Sequence, residues 1–363
     1  MADNENINTK ENTKSTQKSG RVREKLRKNP AARWAVAGIA LLLVAAIVIV
    51  MLGIKPFGAG NTIRDEWKTP EYLRDKTINI LVCGVAFDSQ GDSEHQDRLT
   101  DVIMLANFDR ENGKVNILQI PRDTYVGDDL VKYGKINGLN NWGYLDGSME
   151  AGVLPLIDTI NDQFALSVDN YVMITMEGFR KVVDMLGGVE VTLPEAVDFG
   201  NGTVLEAGTQ VLDGAMAEQF VRYRDIWTGD IYRINNQRYF LAALMDKLLE
   251  MDSKTLVSLA TAMFPYLETD FSINEIISLA REVKELSSDD IQLLHVPGEG
   301  VSAYGKYGVD VFSVHKKQLA DMLNEYMRPY TDDVPETELN CIEIQNTTDA
   351  YDNNVSSLGE LGE

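Results

Sequence analysis

Between Val221 and Arg238 the chain reads VRYRDIWTGDIYRINNQR, with arginines at 222, 224, 233 and 238, in a protein whose formal net charge is −22. A guanidinium group is a planar fork that matches phosphate oxygens in pairs, which a lysine ammonium cannot do. If FVRYR is extended, Arg222 and Arg224 share one side of it. On the helix that follows, Arg233 and Gln237 stand four residues apart and share a face. A diphosphate is the ligand such an array suits. The competing reading is a solvated face in which these arginines pair with Asp225, Asp230 and the acidic surface.

Two further groups of residues invite chemistry. In QIPRDTYVG, Pro121 stops a strand after Ile120 and presents Arg122 and Asp123 at its exit, where α/β sheets tend to bind ligands. A turn with a local ion pair is the plainer alternative, and the downstream KINGLNNWG adds Lys135 and Asn137. The loop FDSQGDSEHQDRLTD carries Asp88, Asp92, Glu94, Asp97 and Asp101, and carboxylates at strand ends can hold Mg²⁺. Most of these acids fit a solvated loop. Asp101 differs because it directly opens the apolar strand VIMLANF. Two cysteines and three scattered histidines exclude a zinc site of the usual spacing. Cys83, inside an apolar strand, reads as a small buried hydrophobe rather than a nucleophile.

The elements that must position these groups alternate between strand and helix. INILVCGV and DVIMLANF are strand-like, and KVNILQI follows across the short turn DRENGK, which requires an antiparallel pair. A helix is expected from about Ser148 to Phe164, offset by Pro155. YVMITM then reads as a strand, EGFRKVVDMLGG as a helix closed by Gly187 and Gly188, and VEVTL as a strand. EQFVRYR is either a helix end or a short extended piece. YRINNQRYFLAALMDKLLEM is a periodic helix, with more helices near 254–265 and 273–286. IQLLHVP is a late strand and SVHKKQLADMLNEYM a last helix. The fold class is a single mixed α/β sandwich: a central, mostly antiparallel sheet flanked by helices. Phosphate-loop, nucleophile-elbow and zinc-protease signatures are absent.

From Trp34 to Ile54 runs an uncharged apolar stretch long enough to cross a bilayer core of roughly 30 Å. Six basic residues between Arg21 and Arg33 precede it and only Lys55 follows before Arg64, so the N-terminus is expected in the cytoplasm. Residues 1–33 then form a cytoplasmic tail, 34–54 a signal anchor, 55–76 a linker, 77–330 an extracellular catalytic domain, and 331–363 a loosely ordered acidic tail in which LNCIEI offers an edge strand. The first 33 residues carry nine basic and four acidic side chains, so the rest must be more acidic than the whole. Nucleic acid is an improbable partner for that surface.

Taken in order, NILVCGV, TDVIMLANFD, ILQIPRDTYV, KIN, YVMITMEGFRKVVDMLGGVEV, LDGAMAEQFVRYR and GDIYRINNQRYF resemble the LytR–CpsA–Psr family of cell-envelope glycopolymer phosphotransferases over roughly residues 78–250. The resemblance implies a membrane-anchored enzyme on the outer face of a Gram-positive-type envelope. It would move a glycopolymer, such as teichoic acid or capsule, from a polyprenyl-pyrophosphate carrier onto a peptidoglycan sugar hydroxyl. Carried over by position, Arg122, Lys135, Arg222, Arg224, Arg233 and Gln237 engage the pyrophosphate. Arg122, Asp123, Arg222 and Arg224 form the catalytic set, and Asp230 and Arg98 support it. Asp101 and Asp88 are the implied Mg²⁺ ligands, and the prenyl chain occupies an apolar groove between sheet and helices. The chain departs from the family at Gly84-Val85-Ala86, where an acid usually stands in the third place. Either Asp88 replaces that acid or the metal site is weaker. Arg98 is displaced by one residue, and Asn236 stands where arginine often precedes the glutamine. A pyrophosphatase acting on the same carrier, or a non-catalytic module that binds lipid-linked wall precursors, are the alternatives.

Overall fold

The computed structural model describes residues 63–86, 98–142, 152–223, 267–271, 290–347 and 355–357, with 236, 237, 239, 240, 243, 244 and 247. The apolar run 34–54, the cytoplasmic tail and the helical readings near 254–265 and 273–286 lie outside them. Among the described residues, β1 (Thr77–Val85), β2 (Thr100–Asp109) and β3 (Lys114–Gln119) come first. The single turn α1 (Leu139–Trp142), α2 (Val153–Phe164), β4 (Asn170–Thr175) and α3 (Met176–Met185) follow. Next are β5 (Val189–Leu193), β6 (Val197–Asp198), β7 (Val204–Leu205), β8 (Gly208–Leu212) and α4 (Gly214–Arg222). The last are β9 (Leu267–Thr269), β10 (Ile291–His295), β11 (Gly298–Tyr304), β12 (Val309–Val314), α5 (Lys316–Tyr326) and β13 (Val355–Ser357).

The central sheet has seven strands in the order β13-β10-β3-β2-β1-β4-β9. Pairing is parallel for β1 with β4 and β10 with β3, and antiparallel for the other four neighbours. Strand β1 is apolar almost throughout because both faces of the sheet are covered. One face packs Ile80, Ala106, Ile117 and Val172 against α3, α4 and helical residues of the 236–247 segment, including Phe240 and Leu244. The other packs Leu81, Ile103, Leu118 and Tyr171 against α2 and α5. VEVTL does not join this sheet: as β5 it pairs antiparallel with β8 in a separate two-stranded ribbon.

Helix α2 starts at Val153 rather than near Ser148, because Gly152 has φ 144°, outside the helical region. Pro155 then sits in the first turn, where a missing N–H leaves no helical bond unmade. Helix α3 is capped by the Thr175 hydroxyl, which accepts from Gly178 N at 3.1 Å, and ends at Gly187 and Gly188 with φ of 71° and 84°.

Both flanking segments belong to the folded unit. Within the expected linker, Ile63, Trp67 and Leu73 are buried. The buried Asp169 carboxylate accepts from Thr69 N, the Thr69 hydroxyl and Asn79 N at 2.7–2.8 Å, tying this lead-in to β1. The reading of 331–363 as a loose tail is corrected in the same way. Leu339 is 1% exposed and Cys341 is buried beside α2, where Cys341 N donates to Gln163 O at 3.0 Å. The edge strand comes from Val355–Ser357, not from LNCIEI. Leu339→Ala should therefore lower the unfolding free energy by about 2–5 kcal/mol, measured by denaturant melts. An unchanged midpoint would show that the segment does not help to close the core.

Candidate functional site

Strands β1, β3, β4 and β10 all run out at one end of the sheet, and β2 begins there. In the β1–β2 pair, Gly84 opposes Val102 and Val85 opposes Thr100, so Asp101 is an extra residue in a β-bulge. Bulges re-aim side chains at the ends of sheets. The Asp101 carboxylate accepts from Arg122 Nη1, linking the bulge to the exit of β3. Arg122 Nε lies 3.8 Å from Asp123 Oδ2, and Lys135 Nζ donates to Asp123 Oδ1 at 2.9 Å. Charges thus alternate along Asp101, Arg122, Asp123 and Lys135, all of them partly buried.

Backbone bonds hold this row. Thr124 N and its hydroxyl both donate to Pro121 O, closing a turn at Arg122–Asp123. Asn137 N donates to Arg122 O at 3.2 Å, while the Thr100 hydroxyl donates to Asn137 O at 3.1 Å. Asn137 therefore contributes through its backbone. Arg122 has one donor in reserve: its Nε–H is buried and has no hydrogen-bond partner among the described residues. A buried donor without an acceptor is costly, by about 1–3 kcal/mol, and calls for a ligand or strain to explain it.

The helical side holds a second cationic group. FVRYR is a helix end: α4 runs to Arg222, and only Tyr223 turns extended. The same-side argument for Arg222 and Arg224 is thereby corrected, since it needed an extended Arg222. Arg222 is 51% exposed and donates from Nη1 to Glu218 Oε1 at 2.8 Å. Glu218 also accepts from Arg180 on α3, a residue that the sequence reading missed. Arg180 sits in an ordinary amphipathic helix, so no local signal marked it. Arg98 donates to Glu268 of β9 at 2.7 Å, and its backbone is held by Asn140 and Asn141. Arg224, Arg233, Asp230 and Asp88 lie outside the described residues.

An apolar cavity of about 150 Å³ lies on the sheet face that α3 and α4 cover. Val82, Met104, Ile117 and Ile174 form its floor, and Phe179, Phe240 and Leu244 its roof. Its wall includes Val102, next to Asp101, and Val221, next to Arg222. Asp101 and Arg222 are thus chain neighbours of two cavity-lining residues. Gln237 also lines it and donates to Val221 O at 3.2 Å. Gln237 is thus anchored to the end of α4, beside apolar walls.

The position where the family places an acid supplies only backbone, with Ala86 N donating to Leu99 O at 2.9 Å. Among the described residues no three His, Cys, Asp or Glu side chains are grouped as metal ligands. Asp101, paired with Arg122, offers one hard oxygen donor here, the ligand type that Mg²⁺ takes.

A LytR_cpsA_psr family model matches residues 58–328. The chain belongs to this family. It is 28% identical over 327 residues to the cell wall biosynthesis protein LcpA of Corynebacterium glutamicum, covering 80% of this chain and 62% of that relative. It is also 28% identical over 236 residues to a polyisoprenyl-teichoic acid–peptidoglycan teichoic acid transferase, TagU of Oceanobacillus iheyensis, covering 64% of this chain and 71% of that one. Among solved structures, B. subtilis TagV superposes with a TM-score of 0.57 at 22% identity over 72% of this chain and all of that one. TagT bound to LI-WTA gives 0.54 at 24%, covering 75% and 96%. The mixed sheet with helices on both faces is therefore the fold of the family.

Cys83, which also lines the cavity, has its thiol pushed well up by burial and by the charge of Glu268, and burial raises Cys341 to about 11. Both stay protonated at pH 8. Native protein should therefore resist alkylation by iodoacetate at that pH, and denatured protein should take up two labels. Rapid native labelling of Cys83 would show that the core under α2 and α5, where its side chain packs with Leu81 and Val85, opens to water.

Proposed function

We propose that this LytR_cpsA_psr protein is a phosphotransferase that moves a glycopolymer from a polyprenyl-pyrophosphate carrier to a hydroxyl of a peptidoglycan sugar. The observation that carries this reading is the buried Nε–H of Arg122, which makes no hydrogen bond among the described residues, on a sheet whose α3/α4 face holds an apolar cavity. A lipid-linked pyrophosphate supplies both missing halves, an anion for the donor and a hydrocarbon chain for the cavity. The names of the relatives, one for cell wall biosynthesis and one for teichoic acid transfer to peptidoglycan, support it.

In this reading the first prenyl units lie between Phe179, Phe240 and the sheet, and the pyrophosphate spans from Arg122 towards Arg222 at the end of α4. Arg224 and Arg233 complete the clamp. Asp101 fixes one edge of the Arg122 guanidinium, leaving Nε aimed at a phosphate oxygen. Asp123, held by Lys135, keeps the guanidinium plane in place. Anionic oxygens repel a nucleophile, and guanidinium donors placed before the reaction neutralise them as charge redistributes in the transition state. The acceptor hydroxyl attacks the phosphorus bonded to the polymer, and its proton passes to the departing phosphate. The bond from that phosphorus to the bridging oxygen breaks, and polyprenyl phosphate leaves. Mg²⁺ held by Asp101 would add positive charge at the same oxygens. The anchor read at 34–54 would keep the domain outside the membrane, next to a carrier that is itself in the bilayer.

Arg122→Ala should lower transfer by about 10²–10³-fold, and Arg122→Lys should not restore it, because an ammonium lacks the planar fork that holds Asp101 on one edge while presenting Nε to a phosphate. Mass spectrometry of polymer-linked peptidoglycan fragments made from a synthetic polyprenyl-pyrophosphoryl donor measures this, with melting curves as the control for folding. Transfer by Arg122→Ala at the wild-type rate would sink the assignment. Release of polymer phosphate by wild type with no acceptor present would make the protein a hydrolase instead. Ala106→Phe, which projects into the cavity, should weaken binding of a fluorescent polyprenyl phosphate by tenfold or more, about 1.4 kcal/mol. Unchanged binding would place the lipid elsewhere.

A further inference from the structure

The turn that carries Arg122 and Asp123 continues straight into a surface built from tyrosines and lysines. Tyr125 N donates to Phe312 O at 2.9 Å, and Phe312 N donates to Asp123 O at 2.8 Å, so the β11–β12 hairpin is fastened to the site segment itself. Tyr125 and Lys135 form an antiparallel bridge. The hairpin tip then brings Tyr304 edge-on to Tyr125, with centroids 5.0 Å apart, and Tyr307 to Tyr133 at 5.1 Å. Lys132 and Lys306, both exposed, stand 4.9 and 5.7 Å from the centres of the Tyr133 and Tyr307 rings.

This shelf is built at some expense. Tyr133 holds a left-handed backbone (φ 70°), as does Ala303 (φ 51°) at the base of the hairpin tip. Such conformations are unfavourable in a residue with a side chain, and they persist where the surroundings enforce them. Gly134 is needed beside Tyr133, since a Cβ there would meet the Tyr125 ring at 2.3 Å. The Asp128 carboxylate accepts from Lys306 N, locking the tip to the 127–134 loop. Tyr133 is two residues from Lys135, so the shelf begins within about 7 Å of the charged row.

We infer that this shelf is the docking site for the acceptor, an anionic peptidoglycan glycan strand. The inference rests on the transferase reading. Sugar rings present C–H faces that stack on tyrosine, and carboxylates of the strand meet Lys132 and Lys306, cations on a protein whose net charge is −22. The direction of the reaction chooses the acceptor over the polymer of the donor. In phosphoryl transfer the attacking and leaving oxygens lie roughly in line. The lipid phosphate leaves towards the cavity, which is on the sheet face covered by α3 and α4. The shelf grows from the other side, where Val126, Phe312 and Val314 join the second core. An acceptor held there approaches the phosphorus opposite the leaving group.

The test uses the full chain in detergent and peptidoglycan stripped of attached polymer. Wild type should co-sediment with the peptidoglycan, and the double variant Lys306→Ala/Tyr307→Ala should bind about tenfold more weakly. Tyr307→Phe, which keeps the ring face, should retain wild-type binding. In transfer assays the double variant should raise KM for the acceptor about tenfold while leaving KM for the donor unchanged. Equal sedimentation of wild type and double variant, or a rise in the donor KM instead, would overturn the inference. If wild type sediments in the expected order but transfers nothing, the shelf stands and the transferase reading falls.

Discussion

The ion pair between Asp101 and Arg122 joins the two features on which the site depends, a bulge at the start of β2 and a proline-terminated exit from β3. The bulge leaves Asp101 unpaired in the ladder, and the turn at Pro121 throws Arg122 across the end of the sheet to meet it. At an effective dielectric near 20, two charges about 4 Å apart attract by ~4 kcal/mol before desolvation takes most of that back. The pair is therefore better understood as a positioning device than as a source of stability. It occupies Nη1 of the guanidinium and leaves the Nε donor with no hydrogen bond among the described residues.

That donor gains its meaning from the unequal faces of the sheet. One face is packed under α2 and α5. The other leaves a cavity under α3, α4 and Phe240, because the helices there are held off the sheet by large side chains that meet each other, with the Phe179 and Phe240 rings 5.3 Å apart. Gly84 helps to keep the space: a Cβ there would reach the Val102 side chain at 3.2 Å. Hydrocarbon enters such a space without losing any hydrogen bond, whereas the phosphate at its rim cannot follow it in. In the proposed reaction, the boundary between apolar floor and charged row would set where the lipid stops and the reacting phosphorus begins.

The C-terminal segment has a structural part in this arrangement. Glu299 and His315, both buried, meet at 3.2 Å, and the Glu299 carboxylate also accepts from Thr347 N and the Thr347 hydroxyl. Burial acts to raise the Glu299 carboxyl, but the hydrogen bonds to it from Thr347 and His315 outweigh that and hold it below its usual range. The Ser313 hydroxyl accepts from Ile344 N and Gln345 N, so residues after 340 brace the β11–β12 hairpin from behind. The hairpin in turn braces the turn that carries Arg122. A segment rich in acidic and polar residues is thus folded in through specific hydrogen bonds as well as through the buried Leu339 and Cys341.

This contrast explains what was legible in the sequence. The strands β1 to β4, their antiparallel start and α3 with its closing glycines were readable because local periodicity and turn chemistry act over a few residues. Arg122, Asp123, Lys135 and Asp101 were legible as candidates because a proline or an apolar strand fixes each to a strand end. Only the tertiary structure decided that Asp101 belongs to Arg122, that Arg222 ends a helix and shares Glu218 with Arg180, and that Lys135 holds Asp123. It alone brought Leu339 and Val355–Ser357 into the fold. Each of these contacts joins residues through space, and composition, which made the C-terminal segment look loose, carries no trace of a partner on another strand or helix. The apolar cavity is the extreme case: its lining comes from strands and helices spread from Val82 to Leu293, and an empty space between side chains has no sequence of its own.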